Sequence, residues 1–275
     1  MVLLIFDTVG GLCNQFYDVL CGVNFAIQHK LPFTFRYCMS RTKDMKKDVK
    51  LEMHELFDME YFKTLPLYKD YVTIKDDMKP SNTYNWKGQP IHLLLDGNKN
   101  IYTQICAIKI TYKYIVLPFF HTVHRFQNIK LRLYNQLKPA PSIMSKYMKI
   151  KQSMGLVNGQ YNYIHYRYEA DFINHFQIKD HMSLSTVLNK VKFKDNTCKT
   201  YIASSNVATQ LYGCDEAMLQ QILYKNEEDL RDLGYEECAF IDFMIGKYSK
   251  EVWGNRRSSF SGVLNSLHQT NNFYC

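Results

Sequence analysis

An apolar run at residues 2–6, a Gly10-Gly11 turn, a helix-patterned stretch and a second β-favouring run form the most restrictive feature of this sequence. Phe16, Val19, Leu20, Val23, Ala26 and Ile27 recur at helical spacing, which predicts a helix over residues 14–29. Leu31-Pro32 ends it, and residues 32–37 read as a second strand. Strand, helix and strand make a β-α-β unit, whose fixed hand implies a parallel sheet. Such sheets are covered by helices on their faces, so the chain reads as α/β. The diglycine lets the chain turn sharply and lets another backbone or a ligand come close. It is not GxGxxG, and it lacks the Lys-Ser/Thr of a phosphate-binding P-loop.

With 275 residues the chain is long enough for a large core in one or two domains. Its hydrophobic content of 46% and charged content of 22% are those of a globular protein. The net charge of +8 suits an anionic ligand. The charges are scattered, and the densest run, residues 43–50, mixes Asp44 and Asp48 with its lysines. That run is expected to be a solvated helix face or loop, and no nucleic-acid-binding motif is present. None of the eight cysteines forms a CxxC pair, so zinc held by cysteine pairs is not expected. The first residues lack a basic flank and their apolar run is short for a signal peptide. No stretch approaches the ~20 apolar residues of a membrane span. The expectation is a soluble, cytoplasmic protein without a transmembrane segment, its thiols mostly free.

The middle of the chain carries fewer signals. Phe57, Tyr61, Phe62 and Leu65 can share a helix face, and residues 91–95, 101–110 and 114–120 are strand candidates. His121 and His124 have HxxH spacing but no evident third ligand, so a structural or surface role is expected and no metal site is assigned. Lys138-Pro139-Ala140-Pro141 punctuates an amphipathic stretch. The boundary is placed there, giving domains 1–138 and 139–275.

The second half alternates helix and strand, with helices expected over 142–154, 183–191, 215–223 and 238–247 and strands at 200–204 and 252–253. Its centre is residues 161–171, YNYIHYRYEAD. A short β run there leads into His165, Arg167, Glu169 and Asp171 at every second position. In an extended chain that spacing puts all four on one face. An imidazole, a guanidinium and two carboxylates suit a charged ligand, and guanidinium matches phosphate oxygens in a bidentate way. The plain alternative is a strand end with a surface ion pair. Further on, Gly254-Asn255-Arg256-Arg257 follows a strand, and Ser258-Ser259-Phe260-Ser261 opens a helix. A helix N-terminus with hydroxyls and arginines is a candidate anion site, and one serine as an ordinary N-cap is the alternative. Two α/β halves with a crevice between them is the architecture these patterns suggest, with ligands beyond the carboxyl ends of the strands.

The ordered motifs resemble those of the GDP-fucose protein O-fucosyltransferases and their α-1,2- and α-1,6-fucosyltransferase relatives. Residues 10–15, GGLCNQ, resemble a GGLGNQ-type turn. Residues 165–171, HYRYEAD, resemble an HLRFExD motif. Residues 201–204 are similar to the strand that follows it, and IDF with GNRRSSFS resembles a closing IDF…GN..SSF(S/T) pattern. The resemblance implies a GT-B-like fold of two Rossmann-like halves and an inverting, metal-independent transfer of L-fucose from GDP-fucose to a glycan or protein hydroxyl. It implies no prosthetic group. By the motif match Arg167 would hold the β-phosphate and take up leaving-group charge. Ser258, Ser259 and Phe260, with Asn255 beside them, would bind the diphosphate and nucleotide. His165 would support the nucleotide, and Asp242 would recognise the guanine or ribose edge. Asn14, with Gly10 and Gly11, would line the cleft near donor sugar or acceptor, and Glu169 and Asp171 are the nearest candidate bases or orienters. Cys13 replaces the usual glycine of the first motif, Arg256 and Arg257 add charge to the last, and the chain is compact for this family. The rival readings are a transferase of the same fold with another nucleotide sugar, and a non-catalytic sugar-nucleotide or glycan-binding module.

Overall fold

The computed structural model describes residues 3–6, 8, 10–28, 30, 33–35, 37–42, 47–65, 91–92, 114–117, 136–175, 177, 182–205, 207–226 and 228–275. The strand candidate at 101–110, His121 and His124 lie outside these residues. The chain divides into two compact units, one of Met1–Ile143 with Gly234–Glu237, the other of Met144–Leu233 with Cys238–Cys275.

In the first unit, β1 (Leu3–Phe6) leads through the diglycine into α1 (Leu12–Gln28) and then β2 (Phe33–Phe35). The two strands pair in parallel, as the β-α-β pattern requires. Two further short strands appear after a hairpin of β3 (Cys38–Arg41) with β4 (Asp48–Leu51) and two short helices, α2 (Met53–Leu56) and α3 (Met59–Thr64). These are β5 (Ile91–His92) and β6 (Tyr114–Leu117), and the parallel sheet runs β2-β1-β6-β5. The α1 side chains Phe16, Val19, Leu20, Val23 and Ala26 are all buried, so the helical stripe read from the sequence faces the core. Phe6 packs between Phe33 and Phe35 at centroid distances of 6.2 and 5.9 Å. Gly22 lets α1 approach that cluster, since a Cβ there would stand 2.9 Å from the Phe6 ring. The charged run behaves differently from expectation. Asp48, Val49 and Lys50 are exposed but form a strand, because the ladder to β3 supplies backbone partners that local propensity does not reveal.

The second unit begins within α4 (Pro141–Ser153), at Met144, and goes on through β7 (Asn162–His165), α5 (Ala170–His175), α6 (Leu184–Lys190) and β8 (Thr200–Ala203). It continues through α7 (Glu216–Gln221), β9 (Ile222–Leu223), α8 (Tyr235–Lys247, in this unit from Cys238), β10 (Glu251–Trp253) and α9 (Ser259–Leu267). The sheet order is β10-β7-β8-β9, with every pair parallel. All four β7 residues are buried, as expected of an inner strand covered on both faces. On one face Ile164 and Tyr166 join Leu184, Val187, Ile202 and Tyr274 in a core cluster. On the other, Tyr163 stacks on Tyr201 at 5.8 Å, and Gly246 of α8 comes close to Tyr163 and to Leu264 of α9. Residues 222–223 leave the helix read over 215–223 because they pair with the start of β8 instead.

Candidate functional site

Strands β7 and β10 are parallel neighbours with Trp253 opposite Ile164, so their carboxyl ends emerge side by side. That register brings the two charged motifs of the second unit together. His165 closes β7, and its Nδ1 lies 2.7 Å from the Ser261 hydroxyl in the first turn of α9. The same hydroxyl accepts the Asn255 N–H at 3.0 Å. The Asn255 side chain accepts the Arg257 N–H at 2.9 Å, and its carbonyl accepts the Ser258 N–H. The Ser261 hydroxyl thus ties the His165 ring to the backbone of Asn255. Gly254 is required here, since a Cβ would collide with the Ser261 side chain. The His165 ring stacks on Phe260 at 4.3 Å, and Phe260 meets Phe243 edge-on at 5.7 Å. Burial, then the nearby Arg167 charge, holds the His165 pKa well below its usual range, so the ring is neutral.

Arg167 leaves the strand end two residues later. Its Nε lies 3.0 Å from Glu169 Oε2, and its guanidinium rests 5.0 Å from the centre of the Phe172 ring. The Arg167 side chain keeps 16% exposure and the Glu169 side chain 3%, so the carboxylate is the anchor and the guanidinium the presented group. The expected alternation stops at Glu169. Helix α5 begins at Ala170, so Asp171 is a helical residue and leaves the period-two face.

At the start of α9, Ser258 occupies the N-cap position with extended backbone but makes no side-chain cap bond. The first N–H groups of a helix have no intrahelical acceptor. The ordinary capping bond suggested for one serine is therefore not made by Ser258. Ser258 and Ser259 are half-buried, and Phe260 is 9% exposed.

Asp242 is carried by α8 of the second unit. Its Oδ2 is 2.6 Å from Lys225 Nζ, and its Oδ1 accepts the Tyr201 hydroxyl at 2.7 Å. Burial raises its carboxyl pKa, outweighing the opposite pull of Lys225 and Tyr201. Lys225 also donates to the Cys238 carbonyl. Asp242 thus stands in a buried polar network with Lys225 and with Tyr201 of β8. Lys225, separated from it by 17 positions, carried no sequence signal for this pairing.

In the first unit Gly10 has φ +77, and a Cβ there would stand 3.2 Å from the Asn14 amide nitrogen. Asn14 Oδ1 is buried without a hydrogen-bond partner among the described residues. Gln15, fully buried, accounts for the rest of the motif. Its amide donates to the Gly10 and Met39 carbonyls, and its oxygen accepts from Thr8 and the Met39 N–H. It is the staple that holds the turn, a role the motif's spacing did not separate from ligand binding. Arg41 also stands at this turn, with Nη2 3.6 Å from where a Gly11 Cβ would be. Glu236 accepts from the Arg41 backbone at 2.6 Å and from its Nε at 2.8 Å, and Tyr235 lies under the guanidinium at 4.2 Å. Burial raises the Glu236 carboxyl pKa and Arg41 pulls it down.

Among the described residues no group of three or more His, Cys, Asp or Glu is placed to hold a metal ion, and no helix is long and apolar enough to cross a membrane. No family model and no curated protein matches the sequence. Solved structures match its fold. POFUT1 in complex with GDP-fucose gives a TM-score of 0.64 at 11% identity, covering 99% of this chain and 98% of that one. A mutant of FUT1 from Arabidopsis thaliana in complex with GDP gives 0.54 at 9% identity, over 98% of this chain and 70% of that one. The fucosyltransferase NodZ from Bradyrhizobium gives 0.53 at 12% identity, over 97% and 92%. The chain has the mixed α/β, parallel-sheet fold of these fucosyltransferase structures.

Proposed function

We propose that this chain, built on the fold it shares with fucosyltransferases, transfers L-fucose from GDP-fucose to a hydroxyl of a glycan or protein acceptor. The observation that carries the reading is the convergence at one sheet end. A guanidinium anchored by a buried carboxylate and a helix start with an uncommitted cap serine stand on neighbouring strand ends, in a fold that also holds GDP-fucose in POFUT1. Arg167 pairs with the β-phosphate and takes up charge as the glycosidic bond breaks. Ser258, Ser259 and the backbone of Phe260 hold the diphosphate at the positive end of α9, and Asn255 keeps that loop in shape. Neutral His165 supports the nucleotide. Asp242 accepts from guanine or ribose through the second lone pairs of its oxygens, both of which already serve internal partners.

Inversion places the acceptor hydroxyl opposite the departing diphosphate, through an oxocarbenium-like state. Glu169 and Asp171 orient the acceptor or take its proton, and Gly10, Gly11 and Asn14 line the acceptor side, where Asn14 Oδ1, without a partner among the described residues, would accept a hydrogen bond from a hydroxyl. In this GT-B-like reading residues 1–138 serve the acceptor and residues 139–275 the nucleotide. Fixed cations and N–H donors carry the leaving-group charge, so transfer proceeds without a metal ion.

Thermal stabilisation by GDP, GDP-fucose, GDP-mannose, UDP and ADP in a chelator tests the reading. GDP and GDP-fucose should raise the Tm, UDP and ADP should not, and Arg167→Ala should remove most of the shift. With an identified acceptor, the same substitution should lower transfer by roughly 10²–10³-fold. No shift with guanine nucleotides at millimolar concentration would sink the proposal. A shift with GDP-mannose alone would favour a transferase of the same fold with another donor.

A further inference from the structure

Strand β7 loses its neighbour on one side where the site begins. Trp253 is the last β10 residue paired with it, and Gly254 turns away to bridge Phe273. On the other side the ladder continues, with the Tyr166 N–H donating to the Ala203 carbonyl. The His165 carbonyl and the Arg167 N–H therefore face an edge from which the strand has departed. A side chain fills that edge. The Tyr274 hydroxyl accepts the Arg167 N–H at 3.1 Å and donates to the His165 carbonyl at 3.1 Å. One phenol thus stands in for the missing rung.

The segment that carries Tyr274 is itself tied to the other loop of the site. Gly254 donates to the Asn272 carbonyl, Tyr274 donates to the Gly254 carbonyl, and Arg256 donates to the Cys275 carbonyl. Asn272 is further fixed by the buried Asn265. Tyr274 is 3% exposed, with its ring in the cluster of Ile164, Tyr166 and Leu184. Burial pushes its phenol pKa up, so the hydroxyl keeps the proton it donates.

We propose that Tyr274 is a positioning residue of the donor site, fixing through its hydroxyl the backbone from which Arg167 projects and linking that backbone to the Gly254–Ser258 loop. The proposal deepens, and rests on, the assignment of Arg167 to a nucleotide diphosphate. A phenylalanine at this place would keep the ring packing and leave two buried backbone groups without their partner.

The test is a double-mutant cycle on the full chain with GDP as probe. Tyr274→Phe should weaken GDP binding by about tenfold, and should have almost no further effect in an Arg167→Ala background. Equal weakening in both backgrounds would mean general loosening and would overturn the proposal. Amide exchange at Arg167 reads the same contact without nucleotide. The parent chain should protect that amide, and Tyr274→Phe should release it while leaving Tyr163 and Ile164 protected. If the parent binds no GDP, the functional reading fails, and exchange alone decides the positioning role. If the phenylalanine variant does not fold, fast exchange at Arg167 in the parent overturns the proposal and slow exchange supports it.

Discussion

His165 stays uncharged because burial and the Arg167 guanidinium both oppose a second proton. In the unfolded chain the same ring titrates near its ordinary value of 6.5. As pH falls through that value the unfolded state binds a proton that the folded state refuses, so folding stability falls with it. The stability is present in full above pH 6.5 and is lost progressively toward the lower folded pKa, with a limiting slope of about 1.4 kcal/mol per pH unit for this one group. Urea denaturation between pH 5 and 7.5 should show that slope, and His165→Asn should flatten it. An unchanged slope in the variant would assign the titration to another group. The Asp242–Lys225 pair has a different sign of interest. Taking both charges out of water offsets much of their attraction, so removing one partner costs more than the intact pair contributes.

Among the elements, α8 and α9 differ in how tightly their glycines are held. A Cβ on Gly246 would stand 2.8 Å from Leu264 Cδ1 and 2.9 Å from Tyr163 Cζ, whereas a Cβ on Gly262 meets nothing within 4 Å among the described residues. Helix propensity favours alanine at both sites by about 1 kcal/mol. Overpacking costs ~1–3 kcal/mol where space is absent. Gly246→Ala should therefore lower the urea midpoint and Gly262→Ala should raise it or leave it unchanged. The same direction of change in both would show that α8 can shift on the sheet. The close approach at Gly246 bears on the strand that carries His165, since Tyr163 lies two residues before it on the same face of β7.

For the whole molecule, the two compact units can unfold in separate steps, and the urea slopes and midpoints above are those of the second unit's transition. Ligand protection is more informative than a global Tm. GDP should slow amide exchange in residues 165–169 and 254–261, with stabilisation of about 2.7 kcal/mol at a hundredfold excess over Kd. Protection confined to other segments would move the nucleotide away from the Arg167 strand end. The chelator should leave the footprint unchanged.

Local patterns determined the elements that carry their own instructions. The stripe of Phe16, Val19, Leu20, Val23 and Ala26 makes α1, the β-favouring run before His165 makes β7, and the serines mark the start of α9, because each depends on neighbours within a turn or a strand. The motif order also resembled that of proteins whose fold this chain has. Three things had to await tertiary structure. Asp48–Leu51 became a strand only through its ladder with β3. Asp242 found Lys225 and Tyr201, which no spacing foretells. Tyr274 met the Arg167 N–H across 107 positions. Each of these is a contact between segments far apart in sequence, whose partners are chosen by sheet register and burial rather than by local pattern.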